Sequence, residues 1–177
     1  MKKALFLLFI GWCSISYSQD SFLNFGIFND RIIWQKVYET SHSKQEIIDY
    51  FKVFCNISIA EQTGERIIGG SYGNKIDFNK YKGSKIGNTI FDDNLAYKVI
   101  IDLNEKKYRV TILDIQFSKD GGIMIDGWGN MGNRSSIIDN KYIKDGKLKT
   151  SFTREGAESL NKYFIDQFSV KSLLERF

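Results

Sequence analysis

The sequence predicts an α+β fold: a single antiparallel sheet with two helices packed on one face, plus Gly-rich loop or hairpin insertions. Three patterns predict it. Leu95, Tyr97, Val99, Ile101 and Leu103 recur at every second position, and after Asn104-Glu105-Lys106 so do Tyr108, Val110 and Ile112. That is the period of two strands joined by a tight connection. Ile47, Ile48, Phe51, Phe54 and Cys55 fall at helical spacing, as do Ala157, Leu160, Phe164 and Phe168 near the end of the chain.

In chain order, Met1-Lys2-Lys3 precedes an apolar run from Ala4 to Cys13 and then Ser16-Tyr17-Ser18, the layout of a cleavable secretory signal over residues 1–18. The run is shorter than the roughly 20 residues that span a bilayer, so no transmembrane segment is expected once the signal is removed. Gly11-Trp12 in front of Cys13 does not fit the small residues of a lipoprotein cleavage site. Residues 19–177 then form one domain, periplasmic or secreted.

Residues 22–28 and 32–39 are apolar- and aromatic-rich around Asn29-Asp30-Arg31, a hairpin signature. Ser43 with Glu46 three residues on makes a capping box, so residues 44–55 form an amphipathic helix closed by Asn56. Strands follow at 57–61 and 66–71 around Thr63-Gly64. Residues 72–94 are rich in Gly, Asn and Asp and read as a long loop or a poorly formed strand pair. In the 95–117 hairpin, Tyr108, Val110 and Ile112 take one face while Thr111, Leu113, Ile115 and Phe117 take the other. A glycine-rich segment covers 118–150. The last helix runs from about 154 to 176, with Leu173, Leu174 and Phe177 extending its apolar stripe.

Loss of Lys2 and Lys3 with the signal lowers the formal charge from +4 to +2. With no basic stripe, a nucleic-acid partner is not expected. The 177 residues contain no proline, so chain reversal rests on Gly, Asn and Asp. Cys13 departs with the signal and Cys55 is left alone, which excludes an intramolecular disulfide and leaves burial to hold the domain. On the apolar face of the first helix, Cys55 reads as a small core residue.

Gly127-Trp128-Gly129-Asn130-Met131-Gly132 fits G-x-G-x-x-G. A dinucleotide site needs a helix directly after that motif, whose N-terminus holds the pyrophosphate. No helical period follows Gly132, so the glycines read as turn residues. Trp128 between two glycines reads first as a side chain folded back on its own core; the alternative, with Asn130 and Arg134 nearby, makes it the candidate surface recognition site for a sugar or peptide. His42, the only histidine, lies in the loop before the Ser43 cap, where a solvated residue rather than a catalyst is expected. Histidines and cysteines are too few for a metal site built on them. Asp92-Asp93-Asn94 and Asp120-Gly121-Gly122 lack the ligand spacing of a calcium loop. No catalytic residue, cofactor or metal is assigned.

"IIWQKVYETSHSKQEIIDYFKVF", a strand ending in an aromatic and then a capped helix, stands with the Gly-rich strand pair, "YKVIIDLNEKKYRVTILDIQF" and a closing helix. This arrangement resembles a family of small exported bacterial proteins of unknown function, described as having a fold like the TATA-box-binding protein. The resemblance covers about residues 31–117 and the last helix, and implies a TBP-like or helix-grip-like architecture. The family has no established catalytic residue to carry over. Its fold name implies no DNA binding, because function resides in sites and not in folds. The long segments 72–94 and 118–150 depart from the pattern.

The expected function is that of an exported, non-enzymatic binding or accessory module of the cell envelope. Its partner would be an envelope protein, peptide, glycan or apolar ligand, for which a groove lined by Tyr97, Val99, Phe164 and Phe168 is a candidate. The alternative is a hydrolase with dispersed carboxylates, since distant acids can meet in space.

Overall fold

The computed structural model describes residues 21–76, 80–81, 94–118, 135–154 and 156–170. Its first hairpin pairs β1 (Phe25–Phe28) with β2 (Arg31–Glu39), Phe28 lying opposite Arg31. Asn29 and Asp30 turn the chain at φ 49° and 57°. Two positive φ values are what a two-residue hairpin of matching twist requires, and Asn and Asp tolerate them. Phe22 pairs back on Phe25 through two backbone hydrogen bonds, so the strand starts at Phe25 and not at residue 22.

The capping box forms as the sequence implies. Ser43 Oγ accepts from Glu46 N–H at 3.3 Å, and Glu46 Oε2 accepts from Ser43 N–H at 2.7 Å. Helix α1 (Lys44–Phe54) ends one residue before Cys55, whose extended backbone forms the C-cap.

Next come β3 (Ser58–Gln62), β4 (Arg66–Lys75), β5 (Asn94–Leu103) and β6 (Lys107–Ser118). Every pairing is antiparallel, in the order β1-β2-β6-β5-β4-β3. A short β7 (Ser135–Ile137) joins the far end of β6. β4 is longer than its sequence suggests: Lys75 pairs with Asn94, so residues 72–75 are strand, past a bulge between Ser71 and Asn74.

β6 contains the main departure from simple alternation. Ala96 faces Gln116 while Lys98 faces Leu113, so β6 carries one extra residue, accommodated at Asp114 with φ 52°. A bulge of this kind shifts the side-chain phase by one. Ile115 and Phe117 were expected opposite Val110 and Ile112; instead all four are buried, on the face shared with Leu95 and Val99.

The segment 118–150 also holds α2 (Ile138–Tyr142) and a small hairpin, β8 (Ile143–Lys144) with β9 (Lys147–Leu148), turned by Asp145-Gly146 at φ 52° and 72°. The closing helix expected over about 154–176 is α4 (Ala157–Phe168), which begins after Gly156 at φ 115°, and a separate short helix, α3 (Thr150–Arg154), precedes it. α4 stops at Phe168 because Ser169 turns extended; Leu173, Leu174 and Phe177 lie outside the described residues, as do residues 1–18.

Helices α1 and α4 lie on one face of the sheet. Phe51 packs against Tyr108 at 5.8 Å and Phe168 at 6.1 Å. Phe164 lies 5.4 Å from Trp34 and 5.3 Å from Tyr97. Near β1 the layer is completed by Tyr142 of α2 on Phe152 of α3 at 5.2 Å, and Phe152 on Phe25 at 5.1 Å. The fold is α+β, an antiparallel sheet with its helices on one side.

Candidate functional site

Tyr97, Val99, Phe164 and Phe168 do not line a groove. All four are fully buried, the Tyr97 ring standing edge-on to both phenylalanines. Aromatic side chains long enough to bridge helix and sheet fill the space between them, and close packing leaves no room for a ligand. Asn161 of α4 is paired beneath the helix. Asn161 Oδ1 accepts from Trp34 Nε1 at 2.8 Å and from Asn24 Nδ2 at 2.8 Å.

The C-terminal end of α4 is closed by side chains from two other elements. Cys55 Sγ donates to Gln167 O at 3.2 Å, Tyr108 OH to Phe168 O at 2.8 Å, and Tyr50 OH to Ser169 O at 3.0 Å. Val170 N–H in turn donates to Tyr108 OH at 3.0 Å. Carbonyls orphaned at a helix end are usually met by a glycine turn or by water; here a thiol and two phenols meet them. Burial pushes the Tyr108 phenol well above its ordinary range, so it stays a donor. Cys55 is the buried core residue the sequence implies, now with a stated partner.

Carboxylates on the opposite, outer face are held by cations. Asp102 takes Arg66 Nε at 2.6 Å and Arg109 Nη2 at 2.8 Å. Burial raises its pKa, but the hydrogen bonds from Arg109 and Arg66 outweigh that and hold it below the ordinary value. At the bulge, Asp114 takes Arg31 at 2.6 Å and Lys98 at 2.8 Å, tying three strands together. Asp139 at the start of α2 accepts from Ile32 N–H at 2.7 Å. Burial raises its pKa, against the Ile32 hydrogen bond and the Arg31 charge, with a further push from Asp114. On α4, Asp166 Oδ2 takes Lys80 at 2.9 Å and Tyr81 OH at 2.8 Å, on the wall of a cleft of about 340 Å3 that Lys162, Ile165 and Ser169 complete.

Two surface features remain. Ile68, Ile100 and Leu113 form a half-buried strip across the outer face, with Val37 54% and Tyr72 42% exposed near it. At one end of the sheet, Glu39, Thr40 and Ser41 face Asn104, Glu105, Lys106 and Lys107 across an open cleft of about 820 Å3. His42 lies beside this cleft, its backbone N–H donating to Thr40 Oγ1 at 3.1 Å. Trp128, Asn130 and Arg134 lie outside the described residues. Among the described residues no cluster of three or more His, Cys, Asp or Glu is placed to hold a metal, and no helix is long and apolar enough to cross a membrane. Sequence reading missed the outer-face ion pairs and the end cleft; the one available signal was the alternation that puts Arg66, Asp102 and Arg109 on the same side.

No protein-family model matches the chain, and no curated protein matches it. Two solved structures are similar. One is a TBP-like protein from Parabacteroides distasonis, 13% identical, with a TM-score of 0.44 over 79% of this chain and 88% of that one. The other is a DUF4468 family protein from Bacteroides ovatus, 13% identical, with a TM-score of 0.45 over 85% of this chain and 93% of that one. The first has the fold name that the strand, capped-helix and hairpin pattern brings to mind, and neither likeness passes a residue role or a partner to this chain.

Proposed function

We infer that this chain is an exported, non-enzymatic binding or accessory module of the cell envelope. The observation that carries the reading is the division of the sheet. Its inner face is filled by aromatic packing, while its outer face keeps Ile68, Ile100 and Leu113 half-buried and Val37 exposed. Such a layout offers surface to a large partner rather than an interior to a small substrate. Export rests on the charge and apolar pattern of residues 1–18. A recognition role for Trp128, Asn130 and Arg134 belongs to the same proposal and rests on their sequence setting alone. The hydrolase alternative has less support, because Asp102, Asp114 and Asp166 are already committed to cations.

Two measurements test this reading. N-terminal sequencing of protein recovered from the producing cell's envelope should begin at Gln19; a start at Met1, or at a lipid-modified Cys13, removes the export claim. Immobilised protein should retain an envelope component that Ile100→Glu, which puts a charge in the apolar strip, no longer retains. Equal retention by both would remove the outer face from the reading.

A further inference from the structure

We propose that the unpaired end of β2, residues 36–39, is a strand-addition site for an extended segment of another polypeptide. The proposal rests on the binding-module reading and names its partner class. β1 accompanies β2 only as far as Trp34, opposite Phe25. Gln35 N–H then donates to Asn24 O at 2.8 Å, and on the other side Thr40 N–H donates to Lys106 O at 3.0 Å. Bonding direction alternates along an antiparallel strand. Residues 36, 38 and 40 therefore serve β6, and the N–H and C=O groups of Val37 and Glu39 point away from it. Among the described residues no strand lies along that edge.

These two donors and two acceptors fix the chemistry of the occupant. Only an extended peptide backbone presents complementary groups at the matching repeat. The edge is fit to receive one, since β2 pairs with β6 without a register shift, whereas the opposite edge strand β3 is bulged between Ile59 and Glu61. Edges are often guarded by charge, but Lys36 lies 5.5 Å over the ring of Tyr38. Val37 adds an exposed apolar side chain, and just past Glu39 the strand leads into the cleft walled by Thr40, Ser41 and residues 104–107. The turn through Leu23 and Asn24 fills the edge at Gln35. A second copy, carrying the same turn, would overlap only residues 36–39, while a free segment continues into the cleft.

The test uses displayed random peptides of about twelve residues, selected on the folded protein; the best is synthesised and titrated. In the wild-type protein, saturating peptide should slow hydrogen exchange at the Val37 and Glu39 amides by at least about tenfold and leave β3 unchanged. Val37→Pro removes one outward N–H and keeps the bonds of residues 36 and 38 to β6, as proline allows on an edge; it should raise Kd at least about tenfold. The proposal is overturned if no peptide is selected, if protection falls elsewhere, or if Val37→Pro folds and binds at full strength. Self-association of the free protein that protects the same amides would also overturn it, assigning the edge to a second copy. In each case, retention of an envelope component that Ile100→Glu abolishes would leave the binding-module reading in place.

Discussion

The two faces of the sheet are built from the same strands and by opposite means. On the inner face, Trp34, Tyr97, Phe164 and Phe168 interlock and are all fully buried. On the outer face, Asp102 sits between two arginines and Asp114 between an arginine and a lysine, all partly in solvent. The difference teaches where stability resides. Burying a large side chain contributes roughly 1.5–3 kcal/mol, whereas a solvated ion pair contributes about 0–1 kcal/mol. The outer face is therefore free to change its chemistry at little cost to the fold.

The largest expected effect lies on the inner side. Phe164→Ala leaves a hole between Trp34 and Tyr97 and should destabilise by about 3–5 kcal/mol in urea unfolding. A loss below about 1 kcal/mol would mean the aromatic layer collapses around the gap, and the contrast between faces would weaken.

A smaller effect is expected for Asp102→Asn, about 1 kcal/mol at neutral pH, because both arginines remain largely in water. The sign follows from the lowered folded pKa. The stabilisation is present above the unfolded value of about 4 and is lost as pH falls through the lower, folded one, so the gap between wild type and variant should shrink from neutral pH into the acid range below about 4. Urea curves at neutral and acid pH decide it; a gap that persists in acid would make the role of Asp102 steric rather than electrostatic.

The smallest effect has the opposite sign. The folded pKa of Asp139 is raised, so its protonated form is the one that favours folding, and that contribution is lost as pH rises through the folded value. Asp139→Asn keeps an acceptor for Ile32 N–H and drops the buried charge. It should leave stability at pH 7 unchanged or raised by less than about 0.5 kcal/mol. A clear loss in thermal unfolding at pH 7 would show that the ionised form is needed there, and the outer rim would then matter more than the comparison allows.

Local features were legible in the sequence and non-local ones were not. Ser43 and Glu46 specify their cap within four residues, and Asn29-Asp30 specify a turn whose strands need no other information. Asp145-Gly146 carried an equally strong turn signature inside a segment read only as glycine-rich. The bulge at Asp114 was not legible, because an aspartate inside an apolar run does not announce a positive φ, and one inserted residue reverses the facing of everything after it. The same holds near Gly156: the apolar stripe from Ala157 to Phe168 lies within α4, and nothing in it announces the break that parts α4 from the short α3. Of the candidate site, the unpaired end of β2 depends on how far β1 extends and on which strand flanks its other side. Neither is written in residues 36–39 themselves.

The closure of α4 by Cys55, Tyr50 and Tyr108 has a consequence for the order of folding. Its partners are 112, 119 and 60 residues away along the chain, so the helix end is satisfied only after long loops have closed. Contacts of such sequence separation slow folding, because chain entropy is lost before the contacts reward it. A nascent chain lacking residues 157–170 leaves Trp34 and Tyr97 without the Phe164 ring that covers them. Residues 157–170, made after every strand of the sheet, thus complete the core, and a chain shortened before them has the part of its apolar face under α4 open to water.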